Sequence, residues 1–570
     1  NMKMKYKALL AAVVATPMLL TTSCIEETFP TSGVLQEQID PSAPEYIKAL
    51  VYGMPGQMNV YGITGNGSHF EFGNPAVIHA RDCMTGDQSV LFANGYDWFN
   101  GWSRVSISQT SLYVNPAFLW ETFATEALAA NTVLKTIDPA TTDTDLMWYR
   151  GLAHAFRAGV YLDWARMFEY LPAMYKAVLR TTNDDGQDVV GLTVPKVTEA
   201  TTEQDSRMNP RMPHNQAVAF ILSDLETALE YLSAGDGYVR TSNNDKALPD
   251  QAVIYGLLAR TYLWDASYTE QGYPNATEGA TAQQLYQKAE QYARMAITAS
   301  GAVPLTKEQA LSTSSGFNDL GSESWMWGQQ LVKEDRVVQS SIVNWTSFVS
   351  NEAEYGYAAA GAFVMIDASL YHSISDYDFR KLMFVAPSGT PLSGKESFID
   401  PEFAEKYFDS YYSLKFRPGS ANTQSADVGS AVGIPLMRVE EMYFIEAEAA
   451  AHRSAQDGLD KLNSFMKTYR YPNYRSYAST PDEILEEIIL QKRIELWGEG
   501  QTYFDIKRLD LSVIRAYDGS NFSYGLNTYN TEGRPAWMNM VIPQSEINNN
   551  EGLRARNNPT PYQANSLIQK

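Results

Sequence analysis

The chain has 570 residues and carries 66 aspartates and glutamates against 44 lysines and arginines, a net charge of −22. Charge of that sign opposes polyphosphates and anionic headgroups, which excludes nucleic acid as an expected partner. The length points to one very large domain or two interwoven ones, and the two cysteines, Cys24 and Cys83, exclude a disulfide framework.

At the start, Lys3, Lys5 and Lys7 precede an apolar run from Ala8 to Leu20, then Thr21-Thr22-Ser23-Cys24. This pattern reads as a signal peptide with a lipobox-like end, so residues 1–23 are expected to be removed and Cys24 to carry lipid. Residues 24–45, with Pro30, Pro41 and Pro44, read as an extended tether. Residues 46–570 form the folded body, which contains no other run of spanning length; the expected membrane attachment is the lipid anchor alone.

Glycine, asparagine and proline are frequent from Gly53 to Gly101, a stretch read as loops and short helices that display aromatics. It contains Arg81, Asp82, Asp87, Tyr96, Trp98 and Trp102; the two tryptophans also fit a core pair at four-residue spacing. Cys83 is read as a buried small residue. Periodic apolar positions predict helices over 146–171, 216–232, 248–264 and 282–299. Between the first two, Asn183-Asp184-Asp185-Gly186-Gln187-Asp188 resembles a calcium loop but lacks its alternation and terminal glutamate, and is read as a turn.

Residues 301–433 interrupt the helices with a mixed region rich in tryptophan and tyrosine, including Trp345 and Tyr355. Beyond it, Leu436, Val439, Tyr443, Ala447 and Ala450 recur at helical spacing. Thr480-Pro481-Asp482-Glu483 then supplies an N-cap, a first-turn proline and a capping-box glutamate for a helix whose stripe includes Ile484, Ile488, Ile489 and Leu496. Gly498 and Gly500 break it, and another short helix starts at Tyr503. The expected fold is all-α: about eight helices in tetratricopeptide-like pairs, without a strict 34-residue period, with the loop-rich insertion at 301–433.

Two blocks carry a resemblance. Arg438-Val439-Glu440-Glu441-Met442-Tyr443 leading into Glu446-Ala447-Glu448-Ala449, and Lys492-Arg493-Ile494-Glu495-Leu496 leading into Glu499-Gly500-Gln501-Thr502-Tyr503-Phe504-Asp505-Ile506-Lys507-Arg508, resemble the C-terminal signature of the SusD/RagB family of surface lipoproteins. The family usually has arginine where this chain has Thr502; the pattern's charges are read as intramolecular ion pairs, so one such pair is in question. Glu26 and Glu27 after Cys24 resemble the export signal of such lipoproteins. The resemblance implies a cell-surface, outer-membrane protein that captures a glycan and acts as the lid of a SusC-like TonB-dependent transporter. It also implies that the insertion shares in ligand and partner contacts. Oligopeptide capture by the same architecture is the alternative, since some members bind peptides.

No catalytic motif is present among six histidines: no His-Glu-x-x-His, phosphate loop or nucleophile elbow. Glu448 and His452, at i and i+4, are read as a helix-surface pair rather than a metal site, and no cofactor is expected beyond the lipid on Cys24. A surface glycoside hydrolase using carboxylates such as Glu495 and Asp505 is the less favoured reading. Tyrosine and tryptophan pair an apolar face with a polar edge, which suits sugar rings. Trp98, Trp102 and Tyr96 are therefore expected as stacking platforms, Arg81, Asp82 and Asp87 as polar contacts, and Trp345 and Tyr355 as contributions from the insertion.

Overall fold

A computed structural model describes residues 43–91, 96, 98–103, 109–175, 177–314, 317–340, 342–522 and 530–561, the side chains of 100, 103 and 244 excepted. The expected signal peptide, Cys24 and most of the tether lie outside these residues. Residues 47–570 form one compact unit; of the other, residues 1–46, only 43–46 are described.

The frame is a run of long helices. After the short α1 (Asn74–Cys83) come α2 (Val114–Thr136), α3 (Thr144–Phe168), α4 (His214–Leu232), α5 (Gln251–Glu270) and α6 (Ala282–Ser300). Beyond the insertion lie α7 (Val439–Arg453), α8 (Ala455–Tyr469), α9 (Pro481–Glu495) and the short α10 (Thr502–Arg508). From α2 to α8 each long helix packs on the next, and α9 packs on α7 and α8, so neighbours in sequence are neighbours in space, as in a helical repeat.

Their ends follow local chemistry. Asp143 caps α3 by accepting from the Leu146 amide at 3.0 Å, and Thr281 with Gln284, and Thr480 with Glu483, close capping boxes on α6 and α9. The α5 helix is buried almost all round and sits centrally. Gly256 lets it touch the inserted region's exit: a Cβ there would lie 2.3 Å from the Met437 sulfur.

Many shorter helices bring the total above the expected eight, and two expectations are corrected. The 23-residue α2 was absent from the sequence reading, because burial on most of its faces leaves no stripe for periodicity to find. Residues 433–438 are not the start of a helix but strand β8. The strands are β1 (Gln88–Val90), β2 (Ala173–Tyr175), β3 (Val178–Arg180), β4 (Leu192–Pro195), β5 (Arg211–Pro213), β6 (Trp325–Gln330), β7 (Val364–Ile366) and β8 (Gly433–Arg438), in four antiparallel pairs. Pairing of β8 with β6 overrides helical spacing at Leu436, and the helix begins only at Val439, with Glu440 and Glu441 in its first turn.

The charged residues of the two C-terminal blocks are buried ion pairs. Glu495 takes Arg470 at 2.8 Å, Arg380 at 3.0 Å and Arg438 at 3.2 Å, while Arg438 and Lys415 both reach Glu499. Arg508 joins Glu448 to Asp505, and Lys492 also reaches Asp505. Glu448 is therefore interior and not part of a surface pair; His452 instead stacks on Tyr286 at 3.6 Å. Thr502, also buried, brings no cation, and the guanidiniums flanking Phe504 come from Arg81 and Arg166, which share Asp163.

Among the described residues no helix is long and apolar enough to cross a membrane. Asn183 to Asp188 is a turn closed by the Thr182–Asp188 bridge, and Cys83 is buried, which pushes its thiol up to about 12.

Candidate ligand-binding site

Five of the eight expected contacts lie inside the protein. All ten residues of α1 are buried; its Arg81 bonds Asp163 at 2.8 Å, and its Asp82 accepts from the Gly500 amide at 2.9 Å, with burial holding the Asp82 carboxyl well above its ordinary range. Asp87 receives Arg493 at 3.0 and 2.5 Å. Trp102 is 0% exposed and edge-on to Phe70, and Trp345 is 0% exposed and edge-on to Phe416. These side chains are already committed to protein partners, so the expectation that they touch ligand is corrected. Tyr355 is partly exposed, its hydroxyl 3.4 Å from that of Ser430.

Tyr96 and Trp98 do reach the surface, Tyr96 at 52% exposure and Trp98 half-buried. The indole stacks on His69, centroids 4.3 Å apart and planes 21° from parallel. His69 shares a hydrogen bond through Nδ1 with the Tyr357 hydroxyl, and Tyr357 lies flat on Phe348 at 3.9 Å. Phe348 then meets Phe72 at 5.4 Å and Phe99 at 4.7 Å. Trp98 thus stands at the outer end of a column of rings rooted in the core.

The loop that presents His69 is built for the purpose. Gly62, Gly65 and Gly67 all take left-handed backbone angles, φ 62°, 73° and 70°, and the buried Glu71 carboxylate gathers the turn by accepting from the Thr64 amide at 2.9 Å and the Thr64 hydroxyl at 2.8 Å. Burial lowers the pKa of His69, so its ring is neutral near pH 7. Burial also raises the phenol of Tyr357, with smaller contributions from the Tyr61 and Tyr96 phenols. Arg336 sits over Tyr61, 5.3 Å from the ring centre.

The result is a partly exposed aromatic ledge of His69 and Trp98 with Tyr357 beneath; Tyr61 shares the glycine-turned loop with His69, and Tyr96 lies two residues before Trp98. Phenol, imidazole and indole edges supply hydrogen bonds around apolar faces. The carboxylates weighed for hydrolysis, Glu495 and Asp505, are locked in the interior pairs described above. Among the described residues, no three His, Cys, Asp or Glu side chains group to hold a metal. Sequence reasoning missed His69, Tyr61 and Tyr357; the Gly62, Gly65, Gly67 spacing beside two aromatics was the one local signal.

A search among curated proteins finds no match. Solved structures share the fold: a SusD-like carbohydrate binding protein from Bacteroides vulgatus at 22% identity, covering 90% of this chain and 97% of that one, has a TM-score of 0.65. A SusD superfamily protein from Bacteroides thetaiotaomicron follows at 18% identity, 89% and 98% coverage and TM-score 0.62. Surface glycan-binding protein A from the same organism, in complex with laminarihexaose, has 17% identity, 90% and 99% coverage and TM-score 0.60. The model of the SusD family matches residues 259–560, more than half of the sequence and spanning both ion-paired blocks, and the chain belongs to that family.

Proposed function

We propose that the protein is a cell-surface glycan receptor without catalytic activity, and that the ledge around Trp98 holds the sugar. The observation that carries this is the column Trp98–His69–Tyr357–Phe348: an indole at the surface, held in a fixed plane by rings down to the core, is a preorganised stacking platform. The sugar-binding relatives above support the ligand class. Lipid on Cys24, export to the outer surface of the outer membrane and a lid role over a SusC-like transporter complete the reading, resting on the N-terminal sequence and the family.

Calorimetric titration with a panel of neutral and acidic oligosaccharides, beside Trp98→Ala, tests it. Loss of one stacking platform costs about 1–3 kcal/mol, or roughly 5- to 150-fold in Kd. Binding by the wild type that weakens this much in the variant supports the site. Peptide binding with silence across the sugars overturns the ligand class, and wild-type sugar affinity in the variant overturns the site.

A further inference from the structure

We propose a second glycan-binding site, on the helical scaffold, in the groove between α4 and α6. Both helices pack on α5 and leave between them an open cleft of about 540 Å³, within the range of small-ligand sites. The groove shares no lining residue with the Trp98 ledge.

The floor holds Tyr262, one of three linked tyrosines. Tyr262 of α5 lies parallel to Tyr292 of α6, centroids 5.6 Å apart and planes within 2°, and Tyr292 continues to Tyr255, one heptad earlier on α5, at 6.2 Å and 24°. All three rings are partly exposed, and among the described residues none of their hydroxyls bonds to protein. A tyrosine kept only for packing closes its hydroxyl on a partner; these rings rest partly on the core, but their hydroxyls stay open.

The walls match the floor. On α6, Gln284, Gln287, Lys288 and Gln291 fall at three- and four-residue steps along one exposed face. Gln284 is used in the helix cap, but Gln287, Lys288 and Gln291 make no hydrogen bond or ion pair among the described residues. Leu222 lines the opposite side. At the bottom, Asp265 is already engaged by His214 and Thr277.

An aromatic ring beside the free amides of Gln287 and Gln291 suits a ligand with apolar C–H faces and many hydroxyls. Of the charged groups on the lining, Asp265 is already engaged and Lys288 stands among three glutamines, which favours an uncharged, hydroxyl-rich ligand. A peptide is disfavoured: beside the single Tyr262, the apolar lining is only Leu222, Ala280 and Leu285, little to seat the several buried anchors that drive peptide and protein recognition. A neutral oligosaccharide fits. With a second grip on the same chain, a long polymer is retained by multivalency beyond what either site achieves alone.

The test uses the purified chain in four forms: wild type, Trp98→Ala, Gln287→Ala/Gln291→Ala, and the combination, each titrated with neutral oligosaccharides and run on native gels containing neutral polysaccharides. Both glutamine positions are exposed, so folding is preserved and is checked by thermal melting; Tyr262→Ser is the second, more severe probe. Saturable binding that persists in Trp98→Ala and falls fivefold or more when Gln287→Ala/Gln291→Ala or Tyr262→Ser is added supports the proposal. Binding unmoved by Trp98→Ala but weakened by the groove variants would remove the ledge and keep the groove. Complete loss in Trp98→Ala alone, a groove that takes peptide instead of sugar, or no response to either groove variant would overturn it.

Discussion

Glu495 is the most heavily coordinated carboxylate of the two C-terminal blocks, and Glu495→Gln tests whether those blocks are structural. The side chain is 6% exposed and accepts from Arg470 at both oxygens, 2.8 Å each, from Arg380 at 3.0 Å and from Arg438 at 3.2 Å. Burial opposes its ionisation, but Arg470, Arg380 and Arg438 prevail and hold its pKa well below the ordinary carboxylate value. Glutamine keeps the shape, removes the charge and turns an amide toward donors, leaving buried guanidiniums short of a counter-charge. Removing one partner of such a group costs about 3–5 kcal/mol, a large part of the roughly 5–15 kcal/mol by which proteins are stable. Urea unfolding followed by tryptophan fluorescence, with the slope held common, measures it. Glu203→Gln is the control: its pair with Arg207 is 84% and 70% exposed, and an exposed pair is worth about 0–1 kcal/mol. Because the folded pKa of Glu495 is depressed, its contribution is present above the unfolded value of about 4.3 and lost as pH falls, so wild type and variant converge under acid. A loss below about 1 kcal/mol at pH 7, no larger than the control, would refute the reading of these blocks as the clamp of the fold.

Asp367 gives the opposite sign. Burial raises its carboxyl to about 6, despite a hydrogen bond from Tyr517 at 2.5 Å. Stability from this group is full below the unfolded value of about 3.9 and declines as pH rises to about 6; Asp367→Asn flattens that limb and gains about 2–3 kcal/mol at pH 7, read as the unfolding midpoint against pH. Trp102→Ala, by contrast with Trp98→Ala, empties a fully buried site and costs about 3–5 kcal/mol of stability in the same urea experiment; a milder effect would place Trp102 outside the core.

The elements legible in the sequence are those whose cause is local. Thr480, Pro481 and Glu483 lie within four residues and announce α9 by themselves. The α2 helix was not legible, because a helix buried on most sides has no polar face to alternate with. Nor was β8, whose partner β6 lies a hundred residues earlier. The site divides the same way. Tyr96 and Trp98 could be named from composition, but the ring beneath Trp98 comes from a glycine-turned loop, and the ring below that, Tyr357, is 288 residues from His69. Arg81, Asp82 and Asp87 have the composition of polar ligand contacts; only the fold reveals that their partners are Asp163, Gly500 and Arg493.

That misassignment shows how the scaffold serves the ledge. The segment from α1 to β1 is pinned along its length by the C-terminal part of the chain. The Gly500 amide bonds Asp82, Arg515 reaches the Cys83 and Thr85 carbonyls at 3.0 and 2.9 Å, Trp537 reaches the Met84 carbonyl at 3.0 Å, and Trp497 reaches the Asp87 carbonyl at 2.8 Å. Gly500 has φ 73°, and a Cβ there would lie 3.0 Å from the Arg81 guanidinium, so the glycine is what lets the block approach. The pinned segment then runs through β1 toward Tyr96 and Trp98, and β1 pairs with β7, which follows Tyr357 by a few residues. Both ends of the aromatic ledge are therefore tied to one frame. Recognition side chains on loops gain precision when the elements beneath them are fixed, and here ion pairs remote from any ligand supply that fixity.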